Sequence, residues 1–510
     1  MVYSAHRQVQ ARATFQILEQ SAYITNKPFG YGVSGKHSHS DARQTFDLKR
    51  EYVRIAAYEP DYIRLDGSYA VMPEAKAAGD EFEYGWWSDV QSQEDGMFPA
   101  SPTLPYISYQ FRNPVDMAGF GLLFDVACRA FTITFTDSEN SEILNIEEEY
   151  NESDYYCYES AVYGVTKISV RFTAHTKPCS RIRLIETDFG IVKQWGDDDI
   201  ISLNIVDETS LTNETLPVSE TKLVINNAGK QFNILNTAGV YGHLDETQTL
   251  MVEMGVSDME HPPEWTKVCE HHFAEIQSDE GSMTATIIAK DIFYILDKTP
   301  YINTIADGSL KDLKSCMESA LNAAGVAHEV DDRLSGVMTY FQTGDMNYRT
   351  LLQHAAIAGC VNVWADRDGK VILGRRDTAR KDTVTLDNQY EEPQITDEGT
   401  VKSVRIEYNT TYGENPEKAA VVKTIGSSGK ELSTSSPLIN DSETAQAAAD
   451  WLASQYKRYK WTVKWRQNPY LASGDTVYFE NRWNESDTVI TKQTLDYTGY
   501  LSGSTESAGD

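Results

Sequence analysis

Four stretches of this sequence combine residue types that could do chemistry. The first reads WWSDVQSQEDG at 86–96. Flat aromatic faces beside carboxylates are what a sugar-stacking platform uses, so Trp86 and Trp87 are candidate glycan ligands. The competing reading packs one ring into a β-fold and the other against a neighbouring segment, because large aromatics are usually mostly buried. DYYCYE at 154–159 poses the same choice. CEHHF at 269–273 is the densest set of metal-ligating types. Adjacent strand residues point to opposite faces, so His271 and His272 are not expected to share an ion. His37 and His39 in GKHSHS share a face if extended, but two ligands on a glycine-rich loop make a weak site. No metal and no cofactor is expected.

Nucleophile and phosphate motifs are missing. No GxSxG, HExxH, P-loop or strand-borne GxGxxG occurs. Asp89, Glu94 and Asp95 are carboxylates in an acidic chain. A glycosidase needs two carboxyls at a set separation across a cleft, which spacing along a chain does not establish.

The elements that would position such residues are mainly strands. The chain has 510 residues, enough for about three to five domains. Hydrophobic residues make up 41%, sufficient for several separate cores. Its 29 tyrosines, with abundant Thr and Ser, favour half-buried pleated faces. With 76 acidic against 45 basic residues the net charge is −31. Such a surface repels phosphate backbones, so no stable nucleic-acid binding is expected. Six dispersed cysteines without a CxxC read as buried free thiols. The start lacks a signal-peptide apolar stretch, and no run of about 20 apolar residues suggests a membrane span.

Along the chain, residues 1–84 read as an arm with short strands: ARATFQILEQ is extended, 26–41 is a loop, and Asp66-Gly67 is a turn. Residues 85–195 alternate with period two. Phe131, Ile133 and Phe135 share one face, as do Ile168, Val170 and Phe172, which predicts an antiparallel β-sandwich. The acidic GDDD at 196–199 reads as a linker. Residues 196–295 form a strand-rich block of small-barrel type. Residues 296–397 are an α+β insertion. It holds a helix capped by Ser309 and stopped by Gly325, then one capped by Asn347 and stopped by Gly359. A hairpin follows, turning at Asp368-Gly369. Residues 398–510 are a second strand-rich block containing one helix, capped by Ser442, with Ala445, Ala449, Leu452 and Tyr456 inward.

In context, the opening stretch carries a resemblance. LDGSYAVMP is followed by GWWSDVQSQEDGMFPASPTLPYISYQF. Trp86 to Asp89, Asp95-Gly96, Phe98, Pro102 and Leu104 resemble the N-terminal region of tail-tip proteins from long-tailed bacteriophages of Gram-positive hosts. The sandwich resembles galactose-binding-like domains. NPYLASGDTVYF, with Asn468-Pro469, Leu471, Gly474-Asp475 and Val477, resembles the second tube-type barrel of the hub that caps a tail tube. YRTLLQHAAIAGCVNVWADRDGKVIL resembles its inserted helix-hairpin.

That resemblance implies a mainly β chain: a galactose-binding-like sandwich, two tube-type β-barrels and a small helix-hairpin domain. It implies a structural tail-tip hub or baseplate protein that closes the tail tube and joins it to receptor-binding proteins. It further implies a homotrimer with six barrels, and as partners the tail tube or distal tail protein, the tape-measure protein, and receptor-binding proteins or fibres. The place would be the virion, after assembly in the bacterial cytoplasm. The chain reaches Asp510 soon after the second block without a peptidase or muramidase, so a non-enzyme is expected. In this reading WWSDVQSQEDG is a packed lead-in to the sandwich. The alternatives are an adhesin binding cell-wall glycan through Trp86 and Trp87, and a cell-wall glycosidase.

Overall fold

The computed structural model describes residues 2–4, 6–19, 22, 24, 42–46, 52–57, 59–60, 62, 68–69, 85–100, 104–236, 239–258, 260–279, 281, 283–483 and 485–509. The predicted loop at 26–41, with His37 and His39, the Asp66-Gly67 turn, and Pro102 lie outside the described residues. The protein is mainly β, with several sheets and few helices. No helix among the described residues is long and apolar enough to cross a membrane.

Two compact units are present. One comprises Phe15–Lys193 with Lys230–Leu244. Period-two alternation there produces two four-stranded sheets. The first takes the order Tyr106–Met117, Val162–Ala174, Ala130–Thr136, Glu142–Glu148. The second takes the order Trp86–Trp87, Arg183–Asp188, Phe120–Phe124, Tyr155–Tyr158. All of these pairings are antiparallel. Phe131 lies opposite Phe172, Ile133 opposite Val170 and Phe135 opposite Ile168. All six are buried in one apolar core with Trp86, Phe120 and Phe124, as the alternation predicts.

The other unit comprises Met1–Thr14, Gln194–Gly229 and Asp245–Asp510. Its main feature belongs to a 13-stranded sheet. From Thr249–Ser257 the order runs through Glu264–Ser278, Thr284–Lys290, Glu220–Asn226, Ile200–Glu208, Thr488–Tyr497, Leu501–Gly509 and Tyr459–Trp465 to Gln394–Asp397. The two strand-rich blocks therefore meet strand to strand. Leu203 faces Tyr497 and Ile205 faces Leu495. Among the described residues these pairings do not close the sheet into a barrel.

The 196–199 stretch is a fastened turn rather than a loose linker. Asp199 and Ile200 both donate their N–H to the Gly196 carbonyl. Asp197 Oδ1 accepts from Ala11 N at 2.8 Å and from Tyr497 Oη at 2.7 Å. Short acidic side chains serve turns because they accept several donors at once.

The helices Leu313–Ala323, Tyr348–Gly359 and Ser442–Gln455 share an apolar core with the Val401–Asn409 strand. Ala445, Ala449 and Leu452 are inward as their spacing predicts and Tyr456 is partly buried; Leu313, Met317 and Leu321 are inward on the first helix. Two caps differ from expectation. Asp312, not Ser309, caps the first helix, accepting from Ser315 N at 3.0 Å. Ser309 Oγ instead donates to Asp307 at 2.6 Å. Asp441, not Ser442, caps the third, accepting from Thr444 N at 2.8 Å. In each place a nearby carboxylate, three residues after Ser309 and one before Ser442, is the stronger acceptor for amides at the positive end of a helix. Asn347 caps as expected, accepting from Thr350 N at 2.8 Å. Gly359 serves packing rather than termination: a Cβ there would meet Leu334 Cγ at 2.7 Å, and Cys360 takes the left-handed C-cap.

Candidate functional site

The tryptophan pair is interior. Trp86 is fully buried and stacks on Phe172 with ring centroids 5.6 Å apart. Trp87 is also buried, with the Arg183 guanidinium 4.0 Å from its ring centre. Arg183 lies 3.6 Å from the Tyr62 ring centre as well, so one cation is held against two aromatic faces. Glu59 balances the charge, 3.5 Å from Arg183 and 2.5 Å from Arg181. Burial leaves neither indole face open to a sugar. Ser88 and Asp95 serve turns: Ser88 Oγ donates to Val90 O at 2.8 Å, and Asp95 Oδ1 accepts from Met97 N at 2.9 Å. In DYYCYE, Tyr155 to Tyr158 are partly buried on an outer strand of the same unit.

The histidines of CEHHF alternate as strand geometry requires. His271 is buried, with Nδ1 2.9 Å from Thr221 Oγ1, and His272 is partly exposed. Burial pushes the His271 imidazole down to about 3, with the neighbouring His272 adding to the effect. No group of three or more potential metal ligands occurs among the described residues. The thiols are all free; Cys128, Cys269 and Cys316 are buried, but Cys179 is exposed.

A second set of charges, partly buried around the fully buried Asp291, lies where NPYLASGD meets the hairpin and the first strand block. The hairpin Asn362–Ala365 and Val371–Gly374 turns at Asp368-Gly369, as its sequence predicts, and Gly369 supplies a φ of +74°. It carries two arginines into the joint. Arg367 Nη2 donates to Pro469 O at 2.9 Å and Leu471 O at 3.0 Å, and its Nη1 donates to Lys267 O at 2.9 Å. Arg376 Nη1 donates to Ser473 O at 2.5 Å, and its Nη2 to Thr209 Oγ1 at 2.8 Å. The Arg376 guanidinium lies 4.3 Å from the Trp364 ring centre.

Carboxylates answer these cations. Asp207, near the end of Ile200–Glu208, accepts from Ser473 N at 2.7 Å and from Ser473 Oγ at 2.8 Å. Asp475 Oδ2 accepts from Ala472 N at 2.8 Å. Asn468 Nδ2 donates to Asp382 at 2.8 Å, and its Oδ1 accepts from Tyr470 N at 3.0 Å. Asp291 is fully inside, accepting from Ser219 N at 2.7 Å and from Phe293 N at 3.0 Å. Burial pushes its carboxyl up to about 7 and pulls Arg376 down to about 10, because desolvation disfavours each charged form.

A cavity of about 290 Å³ lies among Asp207, His271, Asp291, Arg367, Arg376 and Asp475. Asp207, Asp291 and Asp475 each hold backbone amides. The arrangement ties chain segments together: the first strand block, the hairpin and the 468–475 loop. The N-terminal arm adds a second tie. Arg7 donates to Gln467 O and Arg466 O, both at 2.6 Å.

Sequence reasoning reached the 468–475 motif but missed Asp207, Arg367 and Arg376. The one signal for the arginines was their place beside a predicted hairpin, and nothing local showed what they would meet.

No protein family matches this sequence, and no curated protein matches it. Solved structures of similar course exist. A 43 kDa tail protein of prophage MuSo2 from Shewanella oneidensis is 11% identical, with a TM-score of 0.44 over 62% of this chain and 95% of that one. A tail protein from Neisseria meningitidis is 10% identical, with a TM-score of 0.44 over 62% and 94%. A prophage tail protein from Listeria monocytogenes is 13% identical, with a TM-score of 0.40 over 62% and 91%. At these identities and scores the likeness assigns no function to this chain.

Proposed function

We propose that this chain is a structural, non-enzymatic tail-tip hub or baseplate protein of a bacteriophage or phage-like particle. The observation that carries the proposal is the pairing of Ile200–Glu208 with Thr488–Tyr497. A hub wall must bear load across the junction of its two tube-type blocks. Here that junction is a continuous hydrogen-bonded ladder, backed by the arginine joint at 468–475. The order of the sequence motifs supports the same reading.

In this proposal, copies join about a threefold axis, and the two blocks of each copy supply six tube-type walls. The interface is extensive, above ~2,000 Å² per contact as in obligate assemblies. The tail tube or distal tail protein and the tape-measure protein lie on one side, and receptor-binding proteins or fibres on the other. The two-sheet unit around Trp86 serves as the galactose-binding-like domain. The net charge of −31 keeps DNA from adhering as it passes. Assembly takes place in the bacterial cytoplasm and the protein ends in the virion.

Solution mass and low-resolution imaging of the purified chain, alone and mixed with a tail-tube protein, test this. A hollow threefold ring is expected in at least the mixture. A monomer under both conditions, or a ring of another order, defeats the proposal.

A further inference from the structure

One surface of the larger unit exposes apolar side chains that its local structure does not use. Trp483 is 90% exposed and Tyr390 58%, with Leu386 and Ile395 also exposed. Hydrogen bonds place them together. Leu386 N donates to Glu480 Oε2 at 2.9 Å, Gln389 Nε2 donates to Glu480 O at 3.0 Å, and Arg482 pairs with Glu392 at 2.6 Å. The turn bearing Trp483 therefore lies against the 386–392 loop. Trp483 N donates to Asn481 Oδ1 at 2.9 Å, so the turn is built and the indole still points to solvent.

The surface continues into Gln394–Asp397, the terminal strand of the large sheet. All four of its residues are exposed, and among the described residues only Tyr459–Trp465 pairs with it. The strand is short, follows Pro393 and is flanked by acidic residues, which guards it against indiscriminate pairing, so a strand added along it must bring basic side chains. A projecting tryptophan is the side chain most often found to anchor an interface.

Charge selects the occupant. Lys464 pairs with Glu391 at 3.0 Å and Arg482 with Glu392 at 2.6 Å. Asp387, Glu398 and Glu485 are exposed around them without an ion pair among the described residues, which leaves a negative surplus. A second copy that met this face with its own equivalent face would double that surplus. We infer that this surface docks a different protein, one that adds an extended strand along Gln394–Asp397, buries Trp483 and Tyr390, and carries lysine or arginine around the contact. The inference concerns a surface that the tail-tip proposal leaves unassigned and does not rest on it.

The test titrates the full chain with a decapeptide of alternating lysine and valine, read by calorimetry and tryptophan fluorescence. An alternating glutamate–valine peptide is the control. Saturable, salt-sensitive binding of the basic peptide is expected, with a blue shift as Trp483 leaves water. Trp483→Ala and the double change Asp387→Lys with Glu485→Lys, all at exposed positions, should each weaken binding about tenfold without changing the melting temperature. Three results overturn the inference: no saturable binding of the basic peptide, equal binding of the acidic one, or unchanged affinity in Trp483→Ala. Sedimentation equilibrium adds a fourth: if Trp483→Ala lowers the mass of a self-assembled species, the surface belongs to a second copy and the inference fails.

Discussion

The Arg376 guanidinium rests on the backbone of Gly474 so closely that a Cβ at Gly474 would stand 1.9 Å from Nη1. Gly474 also holds a φ of +92°, which side-chain-bearing residues rarely adopt. The two residues fasten the inserted hairpin to the last strand block. Gly474→Ala should therefore destabilise by at least ~2 kcal/mol, from steric and conformational cost together. Gly336 is a built-in control: its φ is +86°, but nothing lies within 4 Å of its Cβ position. Gly336→Ala should cost only about 1 kcal/mol. Denaturant midpoints compare the two, and equal costs would show that Arg376 yields freely.

Arg376 and Asp207 meet through Ser473, the first on its carbonyl and the second on its amide and hydroxyl. Removing either partner leaves a partly buried charge unanswered, at about 1–3 kcal/mol. A double-mutant cycle with Arg376→Met and Asp207→Asn should be non-additive by roughly 1 kcal/mol or more. Strict additivity in urea unfolding would mean that the two act apart.

Two buried groups predict opposing pH dependence. The Asp291 carboxyl rises from 3.8 when free to about 7 in the fold. The folded state then holds the proton more tightly, so this contribution is complete below pH 3.8 and is lost as pH rises towards 7. Asp291→Asn should gain on the native protein as pH increases through that window, by up to ~1.4 kcal/mol per unit. His271 falls from 6.5 to about 3, so its contribution is present above pH 6.5 and is lost on acidification. His271→Asn should gain on the native protein as pH decreases below 6.5. Calorimetric stability across pH 4–8 checks both, and a flat difference for either variant refutes its assignment.

Trp87 and Tyr62 both lie against the Arg183 guanidinium. Trp87→Ala should cost about 3–5 kcal/mol, from the cavity and the lost cation–π contact. Glycan arrays should show no saturable binding with or without the substitution. Sugar binding that disappears in Trp87→Ala while the melting temperature holds would revive the adhesin reading.

Much of this protein follows from short-range pattern. The faces of Phe131, Ile133 and Phe135, and of Ile168, Val170 and Phe172, are written in period two, because alternate strand residues always share a side. Asn347 announces a helix start and Asp368-Gly369 a hairpin for similarly local reasons. The caps at Asp312 and Asp441 stand three residues after and one residue before the serines that the pattern favoured. Candidate chemistry was less legible. Trp86 and Trp87 look the same in sequence whether a ring faces water or Phe172 and Arg183.

What only the tertiary structure decided is which surfaces meet. Leu203 opposite Tyr497, and Arg376 above Gly474 with Asp207 near by, join segments far apart along the chain. Local propensity and alternation depend on a few neighbouring residues. A buried ion or a strand partner depends on which distant segment excludes water from it, and that is settled only when the chain closes on itself.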